Sequence, residues 1–388
     1  MEKAKHIGTM LALIRSAMSG AALTDEEKSK CSADDLRAAL TMAKDYDLAH
    51  LASYGAKENG LSVEVSAEVE RYILKAVYRY QQIKYEYSRL CALLERSGIP
   101  FVPLKGSVIR DRYPEPWMRT SCDIDILVKN EDVERTKALL VEELSYRYET
   151  TYMHDLSFFT PGNVHVEIHF DLIEDGIVCS SADVLRDIWD VVSVKEGCEY
   201  WLEMPDDTFY FYHVAHMAKH VLNGGCGIRP FLDLWILDNM EDADIKGREE
   251  LLMRGDLTKF VKVARRLSAV WFGSGEHDRT TRELERFVLD GNTYGSSENI
   301  ITVRRTRIGG RFKYALSFIF LSYDAMKDMY PVLEKHKWLL PLMHLRRWCR
   351  VFIPGRIKRA KRVLSQNHSI TGERVDGVLG LLEDMGLA

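Results

Sequence analysis

The rhythm of hydrophobic and polar positions changes twice along this chain, and the changes divide it into three stretches. Up to about residue 97 the spacing is helical. Ser32 stands as an N-cap before the run Ala33–Asp45, with Asp34 and Asp35 in the first turn, where the helix dipole favours them. Over Val65–Ser97, Val69, Tyr72, Ile73, Ala76, Val77, Tyr80, Ile83, Tyr87, Leu90 and Leu94 form one broad apolar stripe, which predicts a long helix stopped at Gly98. Its tyrosines read as half-buried packing.

From about 98 to 205 the period shortens. Ile99–Leu104 reads as a short buried strand, Lys105-Gly106-Ser107 as a turn into a helix over Val108–Arg112, and Pro114 and Pro116 as breakers. Asp123–Val128 is a strand and Glu131–Leu144 a helix; Tyr146–Tyr152 and Leu156–Thr160 are strands. Pro161-Gly162-Asn163 turns into the strand Val164–Leu172, predicting a hairpin. After 206 helices return: Asp206 or Asp207 caps a run through His220, Asn223-Gly224-Gly225 ends it, and Pro230–Met240 and Leu257–Phe272 follow. A polar loop is expected at 291–298. The expected architecture is α+β, a mixed sheet with helical flanks, divided as residues 1–97, 98–205 and 206–388.

Composition adds bounds. The 388 residues carry a net charge of −5, so the molecule as a whole is no polyanion binder. Seven cysteines without a C-x-x-C pair argue against a disulfide framework, a disulfide-linked partner or a cysteine-built zinc site. No apolar run approaches the roughly 20 residues of a membrane span, and no apolar signal core follows the N-terminus; a cytoplasmic protein is expected. The tail is locally basic: Lys335, Lys337, Arg346, Arg347, Arg350, Arg356, Lys358, Arg359, Lys361 and Arg362 alternate with Trp338, Leu342, Trp348, Val351 and Phe352. Such a helix suits an anionic membrane surface or RNA, or covers the core with its apolar face.

The candidate chemistry lies in the middle section. Asp123 and Asp125 alternate on one strand, so they share a face with Cα atoms roughly 6–7 Å apart. Two such carboxylates call for a hard divalent cation, Mg²⁺ or Mn²⁺, of the kind shared with substrate phosphates. Gly106 permits close backbone approach, and Ser107 offers a hydroxyl and an N–H at a helix start, where phosphate binds. A third carboxylate is available in His165-Val166-Glu167-Ile168-His169, where polar and apolar residues alternate and Glu167 sits on the polar face. If this strand neighbours Asp123–Val128, three acids converge. Lys105 and Arg119 are phosphate partners or surface charges. His165 and His169 extend the metal site or serve as hydrogen-bonded strand residues. His213, His216 and His220 share one helical face and read as packing or substrate-binding residues; Arg229 and Asp233, four apart, are expected to pair.

A Gly-Ser turn, Asp-x-Asp on a strand and a third acid on a later strand resemble the DNA polymerase β-like nucleotidyltransferase superfamily. Leu104-Lys105-Gly106, Tyr113-Pro114, Arg119, Asp123–Val128, Val166-Glu167-Ile168-His169, and His213, His216, His220, Arg229 and Asp233 resemble more closely a family of uncharacterised bacterial nucleotidyltransferases. The resemblance spans most of residues 40–360. It implies transfer of an NMP from an NTP such as ATP to a hydroxyl-type acceptor on a small molecule, peptide or protein, with pyrophosphate released. By the resemblance Asp123, Asp125 and Glu167 would be catalytic and metal-ligating and Gly106 and Ser107 would hold the phosphates; Lys105 and Arg119, read from their charge, join them as candidate nucleotide-binding residues. The segment 108–122 departs from the superfamily's minimal members in being longer and holding two prolines. The competing expectation is an inactive nucleotide-binding or protein-interaction module on the same fold.

Overall fold

The computed structural model describes residues 2–61, 63–152, 154–173, 178–291, 295–349 and 356–388, with only the backbone given at 63, 179, 318, 328 and 356–360. Five helices open the chain: α1 Glu2–Ser19, α2 Asp25–Ser29, α3 Ala33–Asp45, α4 Ala49–Glu58 and α5 Ser66–Arg96. Ser32 caps α3 as expected, in a reciprocal box with Asp35. Gly98, at φ +66°, takes the chain out of α5 in the left-handed conformation that glycine tolerates. The middle section follows as β1 Phe101–Pro103, α6 Gly106–Ile109, β2 Asp123–Val128, α7 Val133–Glu142, β3 Arg147–Thr151, β4 Asp155–Phe159 and β5 His165–His169. Then come α8 Cys179–Leu185, α9 Ile188–Val191, a small pair β6 Ser193–Val194 and β7 Leu202–Glu203, and helices α10 Asp206–Leu222, α11 Arg229–Asp238, α12 Ile245–Arg254 and α13 Thr258–Phe272.

Strand order in the main sheet is β1-β2-β5-β4-β3. β2 and β5 run parallel, while β1 on β2, β4 on β5 and β3 on β4 are antiparallel. The apolar positions of β2, β4 and β5 (Ile124, Ile126, Leu156, Phe158, Val166 and Ile168) pack against α5 residues such as Ile83, Leu90 and Leu94 in one buried cluster. That leaves the alternate, polar positions on the opposite face, towards α10 and α11. A larger cluster joins α1, α3 and α4 to α10, α11 and α13, so helices from both ends of the sequence share a core. Tyr46 seals it by donating its hydroxyl to the carbonyl of Leu289, 3.0 Å away.

Several local expectations shift. Strands at 99–104 and 164–172 shorten to the residues that have ladder partners, and the helices at 108–112 and 131–144 become α6 and α7 with 3₁₀ turns at Arg110–Arg112 and Asn130–Asp132. Neither Asp206 nor Asp207 is the cap of α10: Pro205 holds that position, and the Asp206 carboxylate instead receives the buried Arg248 guanidinium at 2.6 and 2.7 Å. Arg229 and Asp233 do not pair, because Arg119 takes Asp233 and Arg229 reaches Asp47.

The polar loop at 291–298 is described only at its ends, Ser296 capping the helix Ser297–Ile308. In the basic tail, Leu340–Cys349 is helical with Met343 and His344 inward and Trp338, Leu342 and Leu345 exposed. Arg350, Val351 and Phe352 lie outside the described residues, as do the side chains of Arg356, Lys358 and Arg359. Among the described residues no helix is long and apolar enough to cross a membrane, and Cys31, Cys91, Cys122, Cys198, Cys226 and Cys349 are free thiols.

Candidate functional site

The parallel pairing of β2 and β5 sets Asp125 opposite Glu167 and Asp123 opposite His165. Since side chains alternate with period two, Asp123, Asp125, His165, Glu167 and His169 all project from one face. Asp123, Asp125, Glu167 and His169 floor a cavity of about 350 Å³ roofed by α10 and α11, which contribute His213, His216, Lys219, His220, Arg229 and Asp233, while His165 is not part of its lining and sits with Nε2 2.8 Å from Ser157 Oγ. The cavity's size is that of a small-molecule pocket.

The turn after β1 is tied to this floor. The Leu104 N–H donates to the Asp125 carbonyl at 3.0 Å, and the Lys105 ammonium lies 3.0 Å from Asp125 Oδ1. Lys105 adopts φ +46°, ψ −122°, a conformation that L residues rarely enter and that marks stored strain. The segment 108–122, despite its length and prolines, folds back onto the turn. Arg110 is buried, donating Nε–H to the Gly106 carbonyl at 2.8 Å and Nη2–H to Ser121 Oγ at 3.0 Å. Gly106 therefore lines the cavity beside Arg119 and Ser121.

His169 Nε2 reaches Asp125 Oδ1 at 3.0 Å and Glu167 Oε2 at 3.5 Å. The ligand atoms of Asp125, Glu167 and His169 all lie within 4.8 Å of one another. Burial alone would raise the Asp125 carboxyl, but the Lys105 ammonium and His169 outweigh it and hold Asp125 ionised, far below the ordinary range. Asp123 goes the other way: burial, then the neighbouring Asp125 charge, push its carboxyl up. Burial disfavours the Lys105 ammonium, yet Asp125 and the other acids raise its pKa and keep it charged. Across the cavity, burial followed by the charge of Lys105 holds His216 well below its usual value, and burial with Lys219 and Lys105 lowers His220 to about 4. Both are neutral imidazoles at neutral pH. Lys219, desolvated and facing Lys105, falls to about 8.

The sequence-derived candidates are thus partly united. Asp123, Asp125, Glu167, Lys105, Gly106 and Arg119 border one cavity. Arg119 is committed within it: Nε–H and Nη2–H donate to the two oxygens of Asp233 at 2.8 and 2.9 Å, and Tyr113 donates its hydroxyl to the same carboxylate at 2.6 Å. Ser107 is elsewhere. It lines a neighbouring cavity with Pro103, Val108 and Trp201, because the first turn of α6 rotates it away from the acids. His213, His216 and His220 do line the cavity, with His213 Nε2 3.0 Å from the Pro230 carbonyl.

His154, Asp155 and Lys219 also border the cavity and were missed by sequence reasoning. A signal existed for Asp155. The turn at Pro161-Gly162-Asn163 pairs Phe159 with His165, and counting outward sets Asp155 opposite His169. Lys219 had none beyond lying one residue from His220.

The clustered carboxylates suit a divalent cation. Asp125 and Glu167 are adjacent in register, all donors are hard oxygens apart from one imidazole, and the crowding that raises Asp123 is what a bound cation relieves. No curated protein and no solved structure matches the chain. A family model described as "uncharacterised nucleotidyltransferase" matches residues 32–273, a span that contains every one of these cavity residues. The chain belongs to that family of nucleotidyltransferases, and is an enzyme of nucleotidyl transfer.

Proposed function

We propose that the cavity binds an NTP with Mg²⁺ (or Mn²⁺) and transfers the NMP to a hydroxyl-type acceptor on a small molecule, peptide or protein. In this reading residues 98–205 carry the chemistry, and the helices of 1–97 and 206–388 shape the acceptor side. The observation that carries it is the in-register pair Asp125 and Glu167, with Asp123 two residues away on the same face. Asp123, Asp125 and Glu167 would hold the cation, which when bound neutralises phosphate charge and lowers the pKa of a coordinated hydroxyl.

The chain's own groups do the rest. Lys105, exchanging Asp125 for phosphate oxygens, positions the triphosphate, and Gly106 leaves room for it beside the backbone. The acceptor oxygen forms a bond to the α-phosphorus as the bond to pyrophosphate breaks, and one of the three carboxylates takes the hydroxyl proton. The neutral His216 and His220 on α10 offer hydrogen bonds to the base or acceptor without adding charge.

A second reading, nucleotide binding without turnover, is favoured by one observation: the Lys105 ammonium already serves as counter-charge to Asp125. One experiment separates them. Pyrophosphate release is measured with each of the four NTPs and Mg²⁺, for the parent and for Asp125→Asn. Release by the parent that falls by at least about 100-fold in the variant is expected, since losing even an outer partner of a metal site costs 10–100-fold. Equal turnover in the variant overturns the assignment, and Mg²⁺-independent NTP binding with no release favours the second reading.

A further inference from the structure

His169 has two ring nitrogens, and the nucleotidyl-transfer site accounts for only one. Its Nε2 faces Asp125 and Glu167, while its Nδ1 is buried without a hydrogen-bond partner on a residue only 1% exposed. Beside it Asp155 is 5% exposed, and its Oδ1 is likewise buried and unpartnered. Orphaned polar atoms at this depth are uncommon and each calls for a reason. These two belong to residues directly opposite each other on β4 and β5.

A third ligand-bearing residue completes the group. His154 precedes Asp155, and its carbonyl accepts the Phe170 N–H at 3.0 Å, which fixes its backbone against the end of β5. Its Nε2 lies 3.0 Å from Asp155 Oδ2, and its ring stacks on His169 at 6.0 Å between centroids and 22° between planes. Ligand atoms of His154, Asp155 and His169 all fall within 4.8 Å of one another, and all three residues border the cavity.

We propose that His154, Asp155 and His169 form a site for a transition-metal dication of the zinc class, separate from the carboxylate cluster and opening onto the same cavity. Two imidazoles and one carboxylate are the donor set of three-ligand zinc sites that keep one position open. The same set disfavours Mg²⁺, which prefers oxygen donors. His169 is the partition between the two sites. With Nδ1 on the metal, its proton resides on Nε2 and is donated to Asp125, the arrangement by which a carboxylate orients a metal-bound histidine. Zinc on one side thereby holds Asp125 in place on the other.

The test uses the full chain, stripped with a chelator and titrated with Zn²⁺ in the presence of excess Mg²⁺ and no nucleotide. One Zn²⁺ per chain is expected, with two imidazole ligands by X-ray absorption at the zinc edge. His154→Ala and Asp155→Asn are each expected to weaken Zn²⁺ binding about 100-fold or more, whereas Glu167→Gln shifts it by a few-fold at most. His154 is the safer substitution, because its side chain is 23% exposed, and a melting curve without metal confirms folding. The unmodified chain keeps the question decidable if both variants misfold, through stoichiometry and imidazole count. Absence of Zn²⁺ binding, fewer than two imidazoles, or binding lost in Glu167→Gln but retained in His154→Ala overturns the site. None of these readouts depends on nucleotidyl transfer, so failure here and failure of the proposed reaction are told apart.

Discussion

Replacing Lys105 by Met removes the nearest positive charge from three clustered carboxylates while keeping a side chain of similar length. The ammonium lies 3.0 Å from Asp125 Oδ1, with 22% of the lysine side chain and 3% of the aspartate side chain exposed. Removing one partner of a buried pair costs about 3–5 kcal/mol. The lower end, about 3 kcal/mol, applies here, because part of the lysine reaches water and His169 still donates to Asp125. Urea denaturation followed by linear extrapolation measures it. Lys105→Gly is the internal control. It loses the same charge and also the packing of the stem, about 2 kcal/mol or more, of which relief of the strain at φ +46° returns about 1 kcal/mol, so it should unfold more readily than the Met variant but by less than a full truncation would cost. Mg²⁺ supplies the third comparison. With the ammonium gone, the acids bind the cation more tightly, and at 100 times its Kd a cation bound only to the folded state adds about 2.7 kcal/mol. Lys105→Met should therefore gain more from a given Mg²⁺ concentration than the parent. A variant as stable as the parent, or equal Mg²⁺ effects on both, refutes Lys105 as the counter-charge of the cluster.

Two further substitutions test packing and charge. Asp233→Asn should destabilise the chain by about 3–5 kcal/mol in the same assay, since it strands the Arg119 guanidinium against a neutral amide. Burial would raise the Asp233 carboxyl, but Arg119 and Tyr113 outweigh it and hold it below its unfolded value. Its contribution is then complete above the ordinary carboxylate pKa of about 4 and is lost as pH falls through the lower folded value, so acid should depress the parent's urea midpoint more than that of Asp233→Asn. Gly55→Ala would drive a methyl group into the Leu13 carbonyl where α1 crosses α4, and should cost at least about 1–3 kcal/mol by thermal or urea melting.

What could be read from the sequence was mostly what depends on neighbours along the chain. The Ser32–Asp35 box, the stripe of α5 and the two-faced strand at 165–169 are local patterns, and each is found where its pattern indicates. The pairing of Asp125 with Glu167 depended on which strands become neighbours, and no pattern within either strand decides that. Arg229 and Asp233 show local geometry overridden. Four residues apart on a helix, they yield to Arg119, whose planar fork meets both carboxylate oxygens from 114 residues away. Ser107 depends on a smaller detail: a single turn of α6 decides which of two cavities the residue borders.

The position of β5 between β2 and β4 has a consequence for the order of folding. β3, β4 and β5 are joined by short connections and pair in antiparallel fashion, so they assemble from local contacts. β5 meets β2 only across some forty residues of intervening chain, and slower, non-local pairing of this kind comes later. Asp123 and Asp125 arrive on one piece, and His154, Asp155, Glu167 and His169 on the other. The three acids therefore come together in the docking of β5 on β2, and a chain arrested before that event has its hairpin but no carboxylate cluster. A one-residue slip in that docking would oppose Asp125 to an isoleucine or a valine, so the register that buries Val166 and Ile168 also proofreads the site.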